Sequence, residues 1–269
     1  MQFWNKNRSF KDKILRSVFP FLKLKEKNLT WYYKVYVYLD TLFMLVIMFW
    51  LLINIVFVMF SEKYEIDNLK FYTNFKMKEN TLHSIQKEIS YFRSKNKINP
   101  KTINILVVDS KLIYNFLTFP YFHFFIDTDA MTFTKNIVTI QFSKFDKEFI
   151  EVLEHELIHT WQFSHFSIYE TLKMKHWVKE GYPTYIADLK SLFRDKQEKH
   201  DFLHWYINEV GITNFRDTSK ENYAFSALMV KHAIEKMHKS VDDLHLGKVD
   251  YDEVLDSLLR EYGVAKDVK

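Results

Sequence analysis

The most informative absence from this 269-residue sequence is cysteine, of which there is none. That absence excludes disulfide scaffolds, thiolate metal sites, iron–sulfur clusters and cysteine nucleophiles. Glycine and proline are scarce as well, with four residues each, which excludes collagen-like and flexible-linker architectures. Aromatic residues, in contrast, make up 18% of the chain, which is too many for a disordered protein. The composition therefore indicates a folded protein with an unusually apolar part.

The small net positive charge of the chain, +4, is confined to its beginning. Residues 1–37 contain nine Lys or Arg against two acidic residues, whereas the rest of the chain contains 29 basic against 32 acidic residues. That remainder has no basic helix and no basic–aromatic platform. The sequence therefore predicts no nucleic-acid partner.

A charge-free apolar run follows the basic tail, from Leu42 to Phe60. As a helix this run would span about 28 Å, close to the thickness of the hydrocarbon core of a bilayer. It is too long for a cleaved signal peptide, and a core helix with no polar face is rare. Because Lys and Arg precede it, the N-terminus is expected in the cytoplasm. We therefore expect a basic cytoplasmic tail (1–37), a transmembrane signal anchor (38–60) and an extracytoplasmic domain (61–269), on the periplasmic face of the inner membrane in a bacterium.

The residues after the anchor predict an α+β domain whose C-terminal half is rich in helices. Short apolar runs near 103–108 and 136–142 are typical of strands. The aromatic-rich stretch Phe116–Phe125 could contact the membrane, but packing in the core is favoured. Apolar residues at helical spacing predict a helix after Thr81, and a capping signature formed by Ser143 and Asp146 predicts another from about Phe145. Further helices are expected near 171–194, 198–210, 221–238 and 250–262, the last of them stopped by Gly263.

The strongest chemical signal is His155-Glu156-Leu157-Ile158-His159, an H-E-x-x-H motif within the helix predicted after Phe145. Residues four apart lie on one face of a helix, so both imidazoles can reach a single Zn²⁺. Glu156 follows the first histidine and is placed to act as a general base on water. Apolar residues surround the motif, which favours a buried metal site over a solvated helix surface.

A catalytic zinc site needs a third protein ligand, and the sequence offers two candidates. Glu180 could reach the metal from a second helix and complete a His₂Glu site. His165 matches the spacing of H-E-x-x-H-x-x-G-x-x-H, but Gln162 occupies the glycine position, where the chain must turn sharply. Glu180 is therefore favoured, and His155, His159 and His165 remain the alternative ligand set.

The segments His155-Glu156-Leu157-Ile158-His159-Thr160-Trp161 and Trp177-x-x-Glu180-Gly181-Tyr182-x-x-Tyr185 resemble the gluzincin zinc metallopeptidases, in particular the membrane-alanyl-aminopeptidase-like branch and its compact peptidase-MA-like relatives. The resemblance implies a zincin-like catalytic domain with one Zn²⁺ per chain held by His155, His159 and Glu180, and with Glu156 as base. It further implies that Thr184 orients a ligand and that Tyr223 stabilises the oxyanion. No segment resembles the G-x-M-E-N motif that binds a substrate's α-amino group, so the resemblance does not extend to aminopeptidase specificity.

The sequence thus predicts a membrane-anchored zinc metallopeptidase that hydrolyses peptide or protein substrates outside the cytoplasm. The strand near Asn136–Phe142 is expected to pair with an extended substrate. Pro183 is expected in the first turn of its helix, which would then begin near Glu180. Two alternatives stay open: a non-catalytic zinc-binding or sensing membrane protein that retains the zinc helix, and a membrane interaction protein with a fortuitous motif.

Overall fold

The structure, a computed structural model, describes residues 29–96, 102–118, 130–142, 147–188, 193, 195–210 and 220–265. The chain divides into two compact units between Leu52 and Ile53. The second unit therefore begins within the apolar run and not after it.

Helix α1, Leu29–Phe60, contains the apolar run. Its segment Leu42–Phe60 has a mean hydropathy of 2.8 and is not buried, and it is the one helix in the described residues long and apolar enough to cross a membrane. The helix begins earlier than the predicted anchor, so it includes the end of the basic tail, while residues 1–28 lie outside the described residues. The hydroxyl of Ser61 donates to the carbonyl of Phe57 and satisfies one of the acceptors left open where α1 ends.

Five strands form a mixed sheet in the order β1-β2-β3-β5-β4. Strands β2, β3 and β5 are parallel neighbours, whereas β1 and β4 pair antiparallel at the two edges. The predicted strand near 136–142 is β5, but it lies between β3 and β4, so both of its edges are already paired. The expectation that it pairs with a substrate is wrong, and among the described strands β4 is the edge strand on that side. The strands are β1 (Glu62–Ile66), β2 (Leu69–Thr73), β3 (Ile103–Val108), β4 (Ala130–Thr134) and β5 (Ile137–Gln141).

The helices in the described residues confirm a mixed α/β fold with a helix-rich C-terminal half. The last described helix, Tyr251–Tyr262, ends at Gly263 as predicted, because this glycine adopts the left-handed conformation that closes a helix, with φ of 69°. The helices after α1 are α2 (Glu79–Asn96), α3 (Lys111–Thr118), α4 (Lys147–His165), α5 (Ile168–Lys173), α6 (His176–Asp188), α7 (Lys196–Trp205), α8 (Lys220–Glu235), α9 (Val241–His245) and α10 (Tyr251–Tyr262), with a π-helical turn at Tyr206–Val210.

Two large hydrophobic cores support the domain. The first lies between the sheet and helices α2 and α4, where Leu153 and Leu157 of α4 are fully buried. The second is formed by α6, α8 and α10, with Val178 and Phe225 fully buried. Each fully buried apolar side chain stabilises the fold by about 1.5–3 kcal/mol. Trp161 on α4 packs against both cores, so this helix is fixed from two sides.

Candidate metal centre

Helix α4 carries the H-E-x-x-H residues, of which Leu157 and Ile158 are buried in the first core. The Nε2 atoms of His155 and His159, one turn apart, approach to 3.1 Å. The His159 side chain is 8% exposed and that of His155 is 20% exposed. The two imidazoles therefore point at one spot from the same helix, as the i, i+4 spacing predicts.

Glu180 on α6 points at the same spot. Its Oε2 lies 3.2 Å from His159 Nε2 and 3.6 Å from His155 Nε2. Among the residues that the structure describes, these three form a group that could hold a metal ion. In a tetrahedral zinc site with bonds of about 2.0–2.1 Å, neighbouring ligand atoms lie roughly 3.3–3.4 Å apart, so the donor set and its spacing fit zinc.

His159 and Glu180 each stabilise the charged form of the other. Burial of His159 disfavours its charged form, but the nearby Glu180 carboxylate outweighs burial and raises the pKa of His159. Burial likewise opposes ionisation of Glu180, yet the charges and hydrogen bonds of His159 and His155 bring its pKa well below the usual value. Glu180 is thus a carboxylate at neutral pH, which is the form that binds a cation.

Gln162, one turn after His159, connects this ligand to a distant histidine. Its Oε1 lies 2.9 Å from His159 Nδ1, and its Nε2 lies 3.1 Å from Nε2 of the buried His245 on α9. Nδ1 of His245 faces the Val241 carbonyl, which can only accept, so this nitrogen carries the proton. Burial lowers the pKa of His245 to about 4, which leaves its Nε2 as an acceptor for the Gln162 amide. The amide oxygen then accepts from His159 Nδ1, and the lone pair of neutral His159 is on Nε2, towards the group.

The same glutamine explains a departure from the predicted helix boundary. Helix α6 begins at His176 and not near Glu180, so Pro183 lies inside the helix and the predicted start is wrong. A proline donates no hydrogen bond to the carbonyl four residues earlier, which here belongs to Lys179. Gln162 Nε2 approaches that carbonyl to 3.3 Å and replaces the missing donor.

Gly181 follows the Glu180 ligand and lets two helices approach closely. A Cβ atom at this position would overlap the backbone carbonyl of Ser226 on α8. Any larger residue would therefore push α6 away from α8 and shift Glu180 with it. Gly181 is thus required by the close approach of α6 and α8.

Glu156 is held away from the three-residue group by the edge strand of the sheet. The hydroxyl of Thr132 on β4 lies 2.6 Å from Glu156 Oε2 and 3.1 Å from the Glu156 carbonyl. Glu156 is 6% exposed, so this contact fixes the position of a buried carboxylate. Its position beside the group, without joining it, is the one a base acting on water requires.

Thr184 and Tyr223 both adjoin His155. The Thr184 hydroxyl donates to the Glu180 carbonyl at 2.8 Å and lies 3.4 Å from His155 Nδ1, a long contact. The Tyr223 ring meets the His155 ring edge to face at 5.8 Å between centroids. Burial, followed by the charges of Glu180 and Glu156, raises the pKa of Tyr223, so its phenol remains a hydrogen-bond donor at neutral pH.

His165, the alternative third ligand, is directed elsewhere. Its Nε2 lies 3.3 Å from Asp242 on α9, and its ring stacks on Trp161 at 4.9 Å. The side chain is 47% exposed, in contrast to the three residues of the group. The structure therefore brings Glu180, and not His165, to His155 and His159.

Three residues of this neighbourhood were not predicted as site residues: Gln162, His245 and Thr132. Gln162 was noticed only because it departs from the glycine of another spacing pattern. Thr132 and His245 lie far from the motif in sequence, and no spacing rule connects either residue to it. A search for polar residues on the turn after the second histidine would have found Gln162.

Comparison with known proteins adds no assignment, since neither a protein-family model nor a curated protein matches the chain. The function must therefore be argued from the geometry of the group formed by His155, His159 and Glu180, and from the residues that contact it.

Proposed function

We propose that this protein is a membrane-anchored zinc metallopeptidase of the gluzincin type. The observation that carries the proposal is the convergence of two imidazoles and a carboxylate, 3.1–3.6 Å apart, next to a second carboxylate that stays outside the group. A purely structural zinc site would have no use for Glu156, which Thr132 holds in place. The resemblance of the two motif segments to the gluzincins supports the same reading.

In this proposal His155, His159 and Glu180 hold one zinc ion, which supplies Lewis-acid polarisation of a peptide carbonyl and a water of lowered pKa. Glu156 accepts the proton of the attacking water and passes it to the nitrogen of the leaving amine. Tyr223 donates a hydrogen bond to the oxygen that gains negative charge. Gln162 and Thr184 orient the two imidazoles.

The membrane anchor is the apolar segment of α1. Because Lys and Arg are concentrated in residues 1–37, the positive-inside rule places the N-terminus in the cytoplasm and the peptidase domain outside it. Strand β4 is the sheet edge nearest to Glu156. In this proposal an extended substrate binds along β4.

The test uses the full chain, purified in detergent, with an unstructured protein such as casein as substrate. We expect cleavage that a chelator stops and added zinc restores. Glu156→Gln should lower the cleavage rate by roughly 10²–10⁴-fold while one zinc per chain remains bound. A Glu156→Gln protein as active as the wild type would reject the proposal, and zinc binding without any hydrolysis by the wild type would favour the non-catalytic alternative.

A further inference from the structure

Helix α3 contacts the apolar helix at a depth that a bilayer would cover. Ile53 and Phe57, in the last turns of α1, pack against a third, small core. Helix α3 forms this core with the face of strand β3 that points away from the first core. All of these residues belong to the second compact unit. The buried members of this core are Leu106, Val108, Tyr114 and Leu117, with Ile113 packed beside them.

The position of charged residues fixes how deep this contact lies. Asp40 precedes the apolar run and Glu62 follows it, so only the residues between them can cross the hydrocarbon core without placing a charge in it. These residues span about 30 Å at a rise of about 1.5 Å each, which matches the hydrocarbon core with none to spare. Ile53 then lies about 10 Å and Phe57 about 4.5 Å inside the Phe60 end of the run. In a membrane-anchored protein, the part of α3 that packs on these two side chains would therefore lie at the level of the bilayer.

The outer face of α3 is suited to that position. Leu112 and Phe116, one helical turn apart, are 66% and 47% exposed in the protein alone. The sequence favoured core packing for the stretch Phe116–Phe125: Leu117 is buried as expected, Phe116 is exposed, and residues 119–125 lie outside the described residues.

We propose that α3 is a second membrane contact, inserted into the interfacial layer of the bilayer that α1 crosses, with lipid acyl chains covering Leu112 and Phe116. The inference rests on the membrane anchor of the proposed function and is independent of the peptidase reaction. Lipid, and not protein, covers the outer face of α3 in this proposal, because α3 packs on Ile53 and Phe57, which the charge-free length of α1 places at the depth of the hydrocarbon core.

The absence of cysteine from the chain allows a direct test on the full-length protein. Single cysteines at Leu112, Phe116, Met48 and Tyr91 are labelled with a nitrobenzoxadiazole dye in nanodiscs of phosphatidylcholine and phosphatidylglycerol. All four side chains are exposed in the protein, so the substitutions remove no core packing. Met48 lies within the apolar run and reports on the anchor itself. Tyr91 on α2 is the matched exposed control on the domain.

We expect the dyes at positions 112 and 116 to be quenched by doxyl-labelled lipids, and their quenching by iodide to be several-fold weaker than at position 91. Iodide quenching at 112 and 116 equal to that at 91, with position 48 protected, would overturn the proposal and leave the anchor intact. Protection from iodide without lipid quenching would also overturn it, since protein would then cover α3. Iodide quenching at position 48 would reject the anchor itself, and the lipid contact with it, without any bearing on peptidase activity.

Discussion

The two sides of the candidate metal centre are built from different parts of the fold. On one side, Gln162 accepts a hydrogen bond from His159 Nδ1 and is itself held by His245 of α9, and both Gln162 and His245 are buried. On the β4 side, the Thr132 hydroxyl of an edge strand holds the carboxylate of Glu156. The first set of contacts acts on a candidate metal ligand and the second on the candidate base. The comparison teaches that metal affinity and turnover should respond to different substitutions.

Removal of the third ligand should give the largest effect on metal binding. Glu180→Ala takes away the carboxylate that lies 3.2 Å from His159 Nε2 and 3.6 Å from His155 Nε2. We expect zinc affinity to fall by more than about 100-fold, beyond the range typical of residues that only orient ligands. Zinc titration against a competing chelator measures this loss. His165→Ala is the control and should leave the affinity unchanged, and the opposite result would replace the His₂Glu site by the three-histidine one.

Gln162→Ala should give the next largest effect, a loss of zinc affinity of about 10–100-fold. The substitution frees His159 Nδ1 and also leaves the Lys179 carbonyl and His245 without their amide partner. Gln162→Glu separates these two roles, because it keeps an acceptor for His159 but loses the donor. We expect Gln162→Glu to retain zinc affinity and to melt at a lower temperature than the wild type. Equal zinc affinities for the Ala and Glu variants would show that the glutamine only stabilises the fold.

Thr132→Val should affect turnover and leave the metal in place. Valine keeps the β-branched shape on β4 but removes the hydroxyl that lies 2.6 Å from Glu156 Oε2. We expect the cleavage rate to fall about 10-fold, which is less than the roughly 10²–10⁴-fold expected when the general base itself is removed, with one zinc still bound. Thr134→Val on the same strand is the control, since its hydroxyl accepts from the Asn136 amide instead. A Thr132→Val protein that loses zinc would erase the distinction between the two sides.

Thr184→Val should give the smallest effect of the series. The Thr184 hydroxyl is 3.4 Å from His155 Nδ1, a much weaker contact than the one Gln162 makes with His159. We expect zinc affinity to fall by less than about 10-fold. Tyr185→Phe on the same helix removes a hydroxyl that donates to Glu235 at the surface and serves as control. A loss as large as that of Gln162→Ala would mean that both imidazoles are held equally.

The parts of the fold that could be predicted are those with local patterns. The capping signature of Ser143 and Asp146 predicted the helix that carries His155 and His159, and the run at β3 was short and continuous enough to be a strand. The hairpin of β1 and β2 was missed because three of the five residues of β1 are charged, and the alternation of buried Leu69, Phe71 and Thr73 in β2 was overlooked. Strand β5 was found, but its interior place in the sheet depends on β4, which no local pattern indicated.

The same division holds for the candidate site. The two histidines follow from helix geometry, and Glu180 follows from the need for a third ligand together with a motif. The start of α6 was wrong because the donor that makes Pro183 tolerable comes from Gln162 on another helix. His245 lies 83 residues from Gln162 along the chain, and only the tertiary fold brings the two together.

The junction at Ser61 has a consequence for what the protein can reach. This one residue separates the end of α1 from the start of β1, and the second compact unit already includes the last turns of α1. An enzyme on a long flexible tether samples a wide volume above its membrane, whereas in the proposed function a domain that follows its anchor after one residue would reach only substrates near the bilayer. Scissile bonds would then be selected by their distance from the bilayer as well as by their sequence, and a substrate of suitable sequence but the wrong height would remain uncut.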